Sequence, residues 1–221
     1  YLTNEGTGQA SLWKCKKSVP SAPDDTTTVV FAKNTTGYLK VIPGTENTTM
    51  LTSLPTTFDQ KGWIVDGPLN GTFSNGTWTF HLKVITSKDV PGNITVYARF
   101  WKSSNSNGSS AIAVTDWLAL DTISSPAAST EYQVTANVSL STISLSNEYL
   151  FVEFALGTTS ACTKSSGCAV TFRCNEGQAT TAIDTTEFSS TETGWLGNWA
   201  KRRKITIDHT KVDETLTNFP I

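Results

Sequence analysis

The feature that most constrains the fold of this chain is a strict alternation of apolar and polar residues. From Trp78 to Val84, every even-numbered residue is large and apolar and every odd-numbered residue is polar. Successive side chains of a β-strand point to opposite faces of the sheet, so this alternation predicts a strand with one buried face. Residues 94–101 alternate too, but Tyr97 and Trp101 add aromatic rings to the second face, which predicts a strand that is covered or aromatic on both faces.

The same alternation recurs along the chain, whereas helix-forming residues never cluster at helical spacing for more than a turn or two. Further strands are predicted at 111–120, 132–140, 148–156 and 169–174. Several strands joined by short turns favour antiparallel hairpins. We therefore expect an all-β fold, an antiparallel β-sandwich or jelly-roll-like domain.

Changes of composition divide the chain into four segments. Residues 1–60 alternate short apolar runs with turn residues and are expected to form an extended N-terminal arm and edge strands. Residues 61–175 hold the strong strand patterns of the sandwich, and residues 176–198 turn polar and Thr-rich, as in a linker. Residues 199–221 are expected to begin a second β domain or to form an exchanged strand, a C-terminal strand extension.

Strands near the two ends of the printed chain are candidates for pairing with a neighbouring subunit, because an unpaired strand edge can add to another sheet. The apolar residues that identify them are Val29 and Phe31 in one strand, and Ile205 and Ile207 in the other. Other copies of the chain are then its first expected partners.

Composition narrows the classes of function. The 221 residues carry 17 Lys and Arg against 19 Asp and Glu with no sustained basic face, which argues against dedicated nucleic-acid binding. No apolar run is long enough to cross a membrane. Seven Trp and ten Phe supply the apolar surface of a real core, while 37 Thr and 23 Ser supply most of the polarity.

The four cysteines predict disulfides, since an even number in a chain rich in Thr and Asn fits an oxidising environment. Their spacing is not that of a zinc site, and no His is adjacent. The simplest arrangement joins Cys162 to Cys168 around a short loop and Cys15 to Cys174, which would pin the N-terminal arm. Three pairings are possible, and free buried thiols are the alternative.

Asn-x-Ser/Thr sequons occur at seven positions, where a glycan can be attached in hosts that glycosylate surface proteins. Asn70, Asn75 and Asn107 lie in segments expected to be loops and are the first candidates. The remaining candidates are Asn34, Asn47, Asn93 and Asn137. Asn137 falls inside a predicted strand, opposite its buried parity, where a glycan would be crowded.

Residue types that carry catalysis are present but not in a recognisable arrangement. His81 lies in a strand and His209 in a charged turn, and neither belongs to a motif that supplies a partner. Glu148 and Glu153 share a predicted strand, but a spacing of five puts them on opposite faces, so one strand cannot place both in a glycosidase cleft. We expect Glu148 to be an exposed acid at the strand start, Glu153 to lie on a solvent face, and the chain to be no enzyme and to need no cofactor or metal.

Two further ligand classes have some support. Sugar rings stack on exposed aromatic side chains, so a planar row of Trp would indicate a carbohydrate-binding module. The tryptophans without an assigned role are Trp63, Trp101, Trp117, Trp195 and Trp199. The basic run Lys201–Lys204 could contact phosphate, but an exposed strand decorated with charge is the more ordinary interpretation.

Two parts of the chain resemble known families. The stretch 199–221, with Trp199, the basic run, Ile-Thr-Ile-Asp from Ile205 and Leu-Thr-Asn-Phe-Pro from Leu216, closely resembles the opening of a domain family of unknown function with a lectin-like sandwich. The preceding part resembles β-sandwich domains in virion structural proteins of tailed viruses, especially those of thermophiles. That second resemblance rests on Tyr1–Asn4, Gly62-Trp63, Gly76–Phe80, Val96–Lys102, Leu145–Phe154 and Val170–Arg173.

The resemblance implies a non-enzymatic capsid-decorating, tail or fibre component on the exterior of a virus particle, with other virion proteins as partners. The polar opening at Tyr1 fits either a removed leader or a protein that leaves the cell within a particle. The alternative is a secreted cell-surface or filament subunit that assembles by β-strand complementation, which the cysteines and sequons favour. A carbohydrate-binding module, with cell-surface glycans as partners, is the third possibility.

Overall fold

The computed structural model describes residues 2–3, 12–15, 25–65, 67–87, 92–175 and 182–191. These residues form fifteen strands and no helix, so none of their segments is an apolar helix that could cross a membrane. The strands are β1 (Leu2–Thr3), β2 (Leu12–Cys15), β3 (Asp25–Phe31), β4 (Gly37–Val41), β5 (Gly62–Val65), β6 (Leu69–Phe73), β7 (Gly76–Thr86), β8 (Asn93–Ser103), β9 (Ile112–Ala113), β10 (Leu118–Ser124), β11 (Glu131–Leu140), β12 (Ile143–Thr158), β13 (Cys168–Asn175), β14 (Ala182–Asp184) and β15 (Phe188–Ser190). The predicted all-β class is confirmed.

The first sheet is built around the long strand β12. Residues 149–157 of β12 pair with β8, which in turn pairs with β9 and β10. The opposite edge of β12 is shared by β5, opposite residues 151–152, and β4, opposite residues 154–158. The first part of β12 pairs with β6 and, beyond it, β15. The parallel pair of β2 with β5 extends this sheet to β1, and all other strand pairs of the described residues are antiparallel.

The second sheet is built around β7. Strand β11 pairs with β7 over its whole length, from Glu131 opposite Ile85 to Leu140 opposite Gly76. The other edge of β7 is shared by β13 and β14, and β3 pairs with the far edge of β13. The two sheets pack face to face as a β-sandwich, which the alternating pattern predicts.

Aromatic side chains from both sheets fill the space between them. Trp78 of β7 meets Phe100 of β8 with ring centroids 5.0 Å apart, and Phe172 of β13 meets Phe154 of β12 at 4.9 Å. These pairs join one sheet to the other, and each buries apolar area in addition to the favourable contact of its rings. The inward residues of the alternation from Trp78 to Val84 are all buried, as predicted.

The segments expected from composition supply strands to the two sheets. The compact unit spans residues 1–191, and the segment 1–60, expected to form an arm and edge strands, supplies β3 and β4, whose Leu39 and Val41 are fully buried. The segment 176–198, expected to be a polar linker, supplies the three-residue strands β14 and β15. Strands as short as these two obtain their stability from the long strands they pair with. Residues 199–221 lie outside the described residues.

The proposed intersubunit strand at Val29 and Phe31 is part of the core. Both side chains are completely buried, and β3 has neighbours on both sides. One side pairs with β13, and on the other the Val30 amide donates to the Asn47 carbonyl at 2.9 Å while the Asn47 amide donates to Thr28. At these residues β3 is therefore not a free edge. Ile205 and Ile207 lie outside the described residues.

Candidate functional site

A cluster of charged side chains is buried on the outer face of the first sheet, away from the core. Phe100 of β8 and Phe154 of β12 point into the core, so the neighbouring Arg99, Trp101 and Glu153 point to the opposite face. All three are nevertheless buried. Their cover is the segment 52–61 before β5, here called the strap. The outer-face cluster comprises Lys40, Asp59, Arg99, Trp101 and Glu153.

Arg99 holds the strap to the sheet. Its Nη1 donates to the carbonyl of Pro55 in the strap at 3.0 Å, and its Nε donates to the carbonyl of Thr115 at 3.0 Å. The guanidinium lies 4.2 Å from the ring centroid of Trp101, and Trp117 Nε1 also donates to the Pro55 carbonyl, at 2.7 Å. A buried guanidinium requires such partners, and here they fix the position of the strap.

Phe58 anchors the middle of the strap. Its ring centroid lies 5.7 Å from that of Trp101 and 5.1 Å from that of Phe151. These three rings belong to a small second apolar cluster on this face. Gly108 makes room for it, since a Cβ there would meet the Phe58 ring at 2.3 Å, and the φ of +74° at Gly108 also favours glycine. The outer face thus has aromatic packing of its own.

The centre of the cluster is one ammonium between two carboxylates. Lys40 Nζ contacts Asp59 Oδ1 and Glu153 Oε1, and the second contact is an ion pair without hydrogen-bond geometry. Trp101 Nε1 donates to Glu153 Oε2 at 2.6 Å. The Glu153 side chain is 0% exposed, that of Lys40 is 5% exposed and that of Asp59 is 46% exposed. The site is therefore dry at Glu153 and open to water at Asp59.

Burial raises the pKa of Glu153 from its ordinary value of 4.5 to about 7, because a carboxylate loses its hydration there. Lys40 opposes this rise, and the Trp101 hydrogen bond opposes it more weakly. A carboxyl group with a pKa near neutrality can both accept and donate a proton, which is the property of a general acid–base group.

The expectation that Glu153 is a solvent-face acid is wrong. The alternation assigned it to the correct face, but the strap, which is distant in sequence, covers that face. Glu148 is half-buried and its Oε2 accepts from Lys102 Nζ at 3.0 Å. The signal that could have found the cluster was the aromatic second face of residues 94–101. That face was predicted to be covered or aromatic, and the structure buries it at Arg99 and Trp101 but leaves Thr95 and Tyr97 half-buried.

The disulfide between Cys162 and Cys168 is confirmed, with Cα atoms 5.8 Å apart. Both cysteines belong to the apolar core between the sheets. Cys15 lies in β2 and Cys174 in β13, but their side chains are outside the described ones, so the second disulfide stays a prediction.

The seven sequon asparagines have different surroundings. Asn34, Asn75, Asn107 and Asn137 are exposed. Asn70, expected in a loop, lies in β6 with β12 on one side and β15 on the other. Asn47 is wrong as a glycan site, because its side chain is buried and its Nδ2 donates to the Lys40 carbonyl at 2.8 Å. Asn93 is half-buried, and its Nδ2 donates to Thr159 at 3.1 Å.

The remaining candidates with described side chains are one histidine and three tryptophans. His81 Nε2 lies 3.1 Å from Asp184 at the surface of the second sheet. Within the described ranges, no group of three His, Cys, Asp or Glu side chains could hold a metal ion. Trp63 is fully buried, and Trp101 and Trp117 donate hydrogen bonds within the outer face. The part of the chain with described side chains therefore has no exposed row of tryptophans.

The residues that carry the resemblance to the lectin-like domain family, 199–221, lie outside the described residues. Most of the residues that carry the resemblance to virion proteins of tailed viruses lie in β5, β7, β8, β12 and β13. We compared the chain with known protein families and with curated proteins, and neither comparison finds a match.

Proposed function

We propose that this chain is a non-enzymatic structural domain that functions outside the cell, on the exterior of a virus particle as a decoration, tail or fibre component. The observation that carries the extracellular part is the disulfide Cys162–Cys168. Disulfides persist on virion and cell surfaces and in secreted proteins, and they are rare in the cytosol of most organisms apart from hyperthermophiles. The resemblance of the strand segments to virion proteins of tailed viruses supports a location on a virus particle.

The outward faces of the sheets support a structural role. Their hydroxyl and amide side chains bind one another across neighbouring strands: Thr95 pairs with Thr122 at 2.8 Å, and the Thr79 hydroxyl donates to the Asn137 side-chain oxygen at 2.8 Å. Such pairs satisfy polar groups without using charge and add to the stability of the sheet. Uncharged pairs keep their strength when the salt concentration changes, a property suited to a durable shell component.

A secreted cell-surface or filament subunit is the second candidate. Among the described residues, β11 has a strand partner only in β7, so its other edge is available for a strand from a neighbouring subunit. The exposed sequons at Asn75 and Asn107 are compatible with this alternative in a host that glycosylates secreted proteins.

Purification of native material distinguishes the two candidates. Whatever carries the chain is treated with nuclease, sedimented, and analysed for protected DNA and by electron microscopy with an antibody against the sandwich. Labelled intact particles that contain protected DNA are the expected result, and disrupted particles serve as the control for internal epitopes. Labelled DNA-free fibres or cell envelope would overturn the viral proposal in favour of the surface subunit.

A further inference from the structure

Lys40, Asp59 and Glu153 come from three separate elements and meet at one point of the outer-face cluster. Lys40 is in β4, Glu153 is in the neighbouring β12, and Asp59 is at the end of the strap. The apolar rings of Phe58 and Phe151 adjoin them on the same face. An amine and two carboxyl groups are thus held together beside apolar walls.

The Lys40 amine and the Asp59 carboxyl group are placed as the two reactants of a condensation reaction. Lys40 is almost completely buried, and its Nζ already contacts the carboxyl group of Asp59. Groups held in contact react as if at very high concentration, because the entropy of bringing them together has been lost on folding. A lysine amine in a dry site is a good nucleophile once it has lost its proton.

We infer that Lys40 and Asp59 form an intramolecular amide bond between Nζ and Cγ, with release of one water molecule and with Glu153 as the proton carrier. The product is a permanent cross-link between β4 and the strap. It is a covalent modification of the chain by its own residues, and it needs no cofactor, oxidant or second protein.

The protons balance in four steps. Glu153 accepts a proton from the Lys40 ammonium and passes it to the carboxylate of Asp59, so a neutral amine faces a neutral carboxylic acid. The Nζ lone pair attacks Cγ, and a tetrahedral intermediate forms. Glu153 then takes a second proton from the nitrogen and delivers it to a hydroxyl on Cγ. That hydroxyl leaves as water, the amide remains, and Glu153 returns to its initial state.

The surroundings of the two acids decide which one reacts. Glu153 Oε2 is occupied by the Trp101 indole, and burial raises the pKa of Glu153 to about 7, so it can carry protons in both directions near neutral pH. Asp59 has no such hydrogen bond from an indole, and its side chain is 46% exposed. The water that is released can therefore leave from Asp59 but not from the enclosed Glu153.

The cross-link would join two strands that lie end to end. Strands β4 and β5 share one edge of β12, and the strap leads into β5 at Gly62. Gly62 permits this close approach, since a Cβ there would meet the Val152 carbonyl oxygen at 2.6 Å and Glu153 Cγ at 3.4 Å. An amide between Lys40 and Asp59 ties these short strands together and closes the strap over the sheet.

Intact mass gives the first test. The full chain, produced in a bacterial host and measured denatured with its disulfides reduced, should be lighter than its sequence by one water molecule. Lys40→Met, Asp59→Ala and Glu153→Gln should each restore the full sequence mass. Lys102→Met is the matched control, because Lys102 forms an ion pair with Glu148 on the same sheet and should leave the water loss unchanged.

Trypsin mapping of the unaltered chain does not depend on the folding of any variant. An amide at Lys40 blocks cleavage there, so a peptide of residues 34–61 should appear with one water less than its sequence. Free peptides 34–40 and 41–61 would overturn the inference. So would a water loss confined to peptide 62–83, which indicates a succinimide at Asp66-Gly67, or a link from Lys40 to peptide 103–164, which indicates that Glu153 is the acceptor.

Discussion

The two faces of the first sheet are both buried, but by different physical means. On the inner face, rings such as Phe154 and Phe172 pack against each other, and burial of apolar area supplies the stability. On the outer face, the ionisable side chains of Lys40, Arg99 and Glu153 are buried and depend on specific partners. Apolar packing tolerates small changes, whereas a buried ion that loses its partner is costly, so the outer face requires more exact placement.

The difference also concerns what covers each face. The inner face is covered by another sheet whose strands are long and regular. The outer face is covered by a strap without regular structure, fixed by the Pro55 carbonyl, the Phe58 ring and the Asp59 carboxylate. A segment with so few attachment points gains most from a covalent one. The inferred amide would supply such an attachment at Asp59.

The largest effect is expected from a cavity in the inner face. Phe154→Ala removes a fully buried ring that contacts Trp63 and Phe172, so the free energy of unfolding should fall by about 3–5 kcal/mol in a urea titration. Ile112→Ala, at a residue that is 62% exposed, is the control and should change it by less than about 0.5 kcal/mol. A loss below about 1 kcal/mol for Phe154→Ala would mean that the core is not at this interface.

The outer face should make stability depend on pH in an unusual direction. In Asp59→Ala, which cannot form the amide, the pKa of Glu153 is still raised by burial from 4.5 toward about 7. The folded state then holds a proton that the unfolded state releases, so stability is greatest below about pH 4.5 and falls, by up to about 3 kcal/mol, as the pH rises through 7. Asp59 makes a minor contribution that raises the pKa of Glu153. Its removal therefore narrows the pH range over which stability falls, but stability still falls as the pH rises.

Urea titrations at several pH values measure this dependence. The double variant Asp59→Ala, Glu153→Gln carries the same remaining ion pairs, including Lys83 with Glu131 and Lys102 with Glu148, and provides the baseline. The difference between the two variants gives the contribution of Glu153 together with its ion pair to Lys40. Equal pH profiles would show that Glu153 does not titrate in this range when folded.

A smaller effect is expected from crowding the strap. Gly108→Ala places a methyl group against the Phe58 ring at a positive φ, and should lower the free energy of unfolding by about 1–3 kcal/mol. Gly67→Ala is a matched control, since Gly67 also has a positive φ, +86°, but has open space around its Cβ position. Thermal unfolding of both should show the larger loss at Gly108, and equal losses would mean that the contact with Phe58 has no energetic weight.

The smallest effect is expected from the hydroxyl pairs on the exposed faces. Thr122→Val keeps the branched shape and removes the hydroxyl that bonds to Thr95, so thermal unfolding should register a loss of about 0.2–1 kcal/mol. A loss as large as that of Gly108→Ala would mean that the surface hydroxyl pairs contribute as much to the free energy of unfolding as the packing of the strap.

The sequence predicted the inner face well because its information is local. Alternation from Trp78 to Val84 identifies the buried parity without reference to any other segment, and the short spacing of Cys162 and Cys168 made their disulfide the simplest of the possible pairings. The burial of Glu153 could not be predicted in this way. Alternation gives the face on which a side chain lies, but only the path of a distant segment decides whether that face meets water.

The same limit explains the other errors. Asn47 is in a polar stretch, and only its hydrogen bond with the Lys40 carbonyl reveals that its side chain points inward. Strands β14 and β15 consist of three residues each, too few for a pattern, and they exist because β7 and β6 offer edges to pair with. Aromatic residues on both parities of one strand were the single local sign that the second face is covered.

The most direct test of the account is the chemical state of the Lys40 nitrogen in the folded chain. With lysine side chains isotope-labelled at Nζ, nuclear magnetic resonance should show one lysine nitrogen bonded to a single, slowly exchanging hydrogen with the chemical shift of an amide, and that signal should disappear in Asp59→Ala. If every lysine nitrogen instead gives an ammonium signal, the outer face is closed by ion pairs alone and the inferred cross-link does not exist.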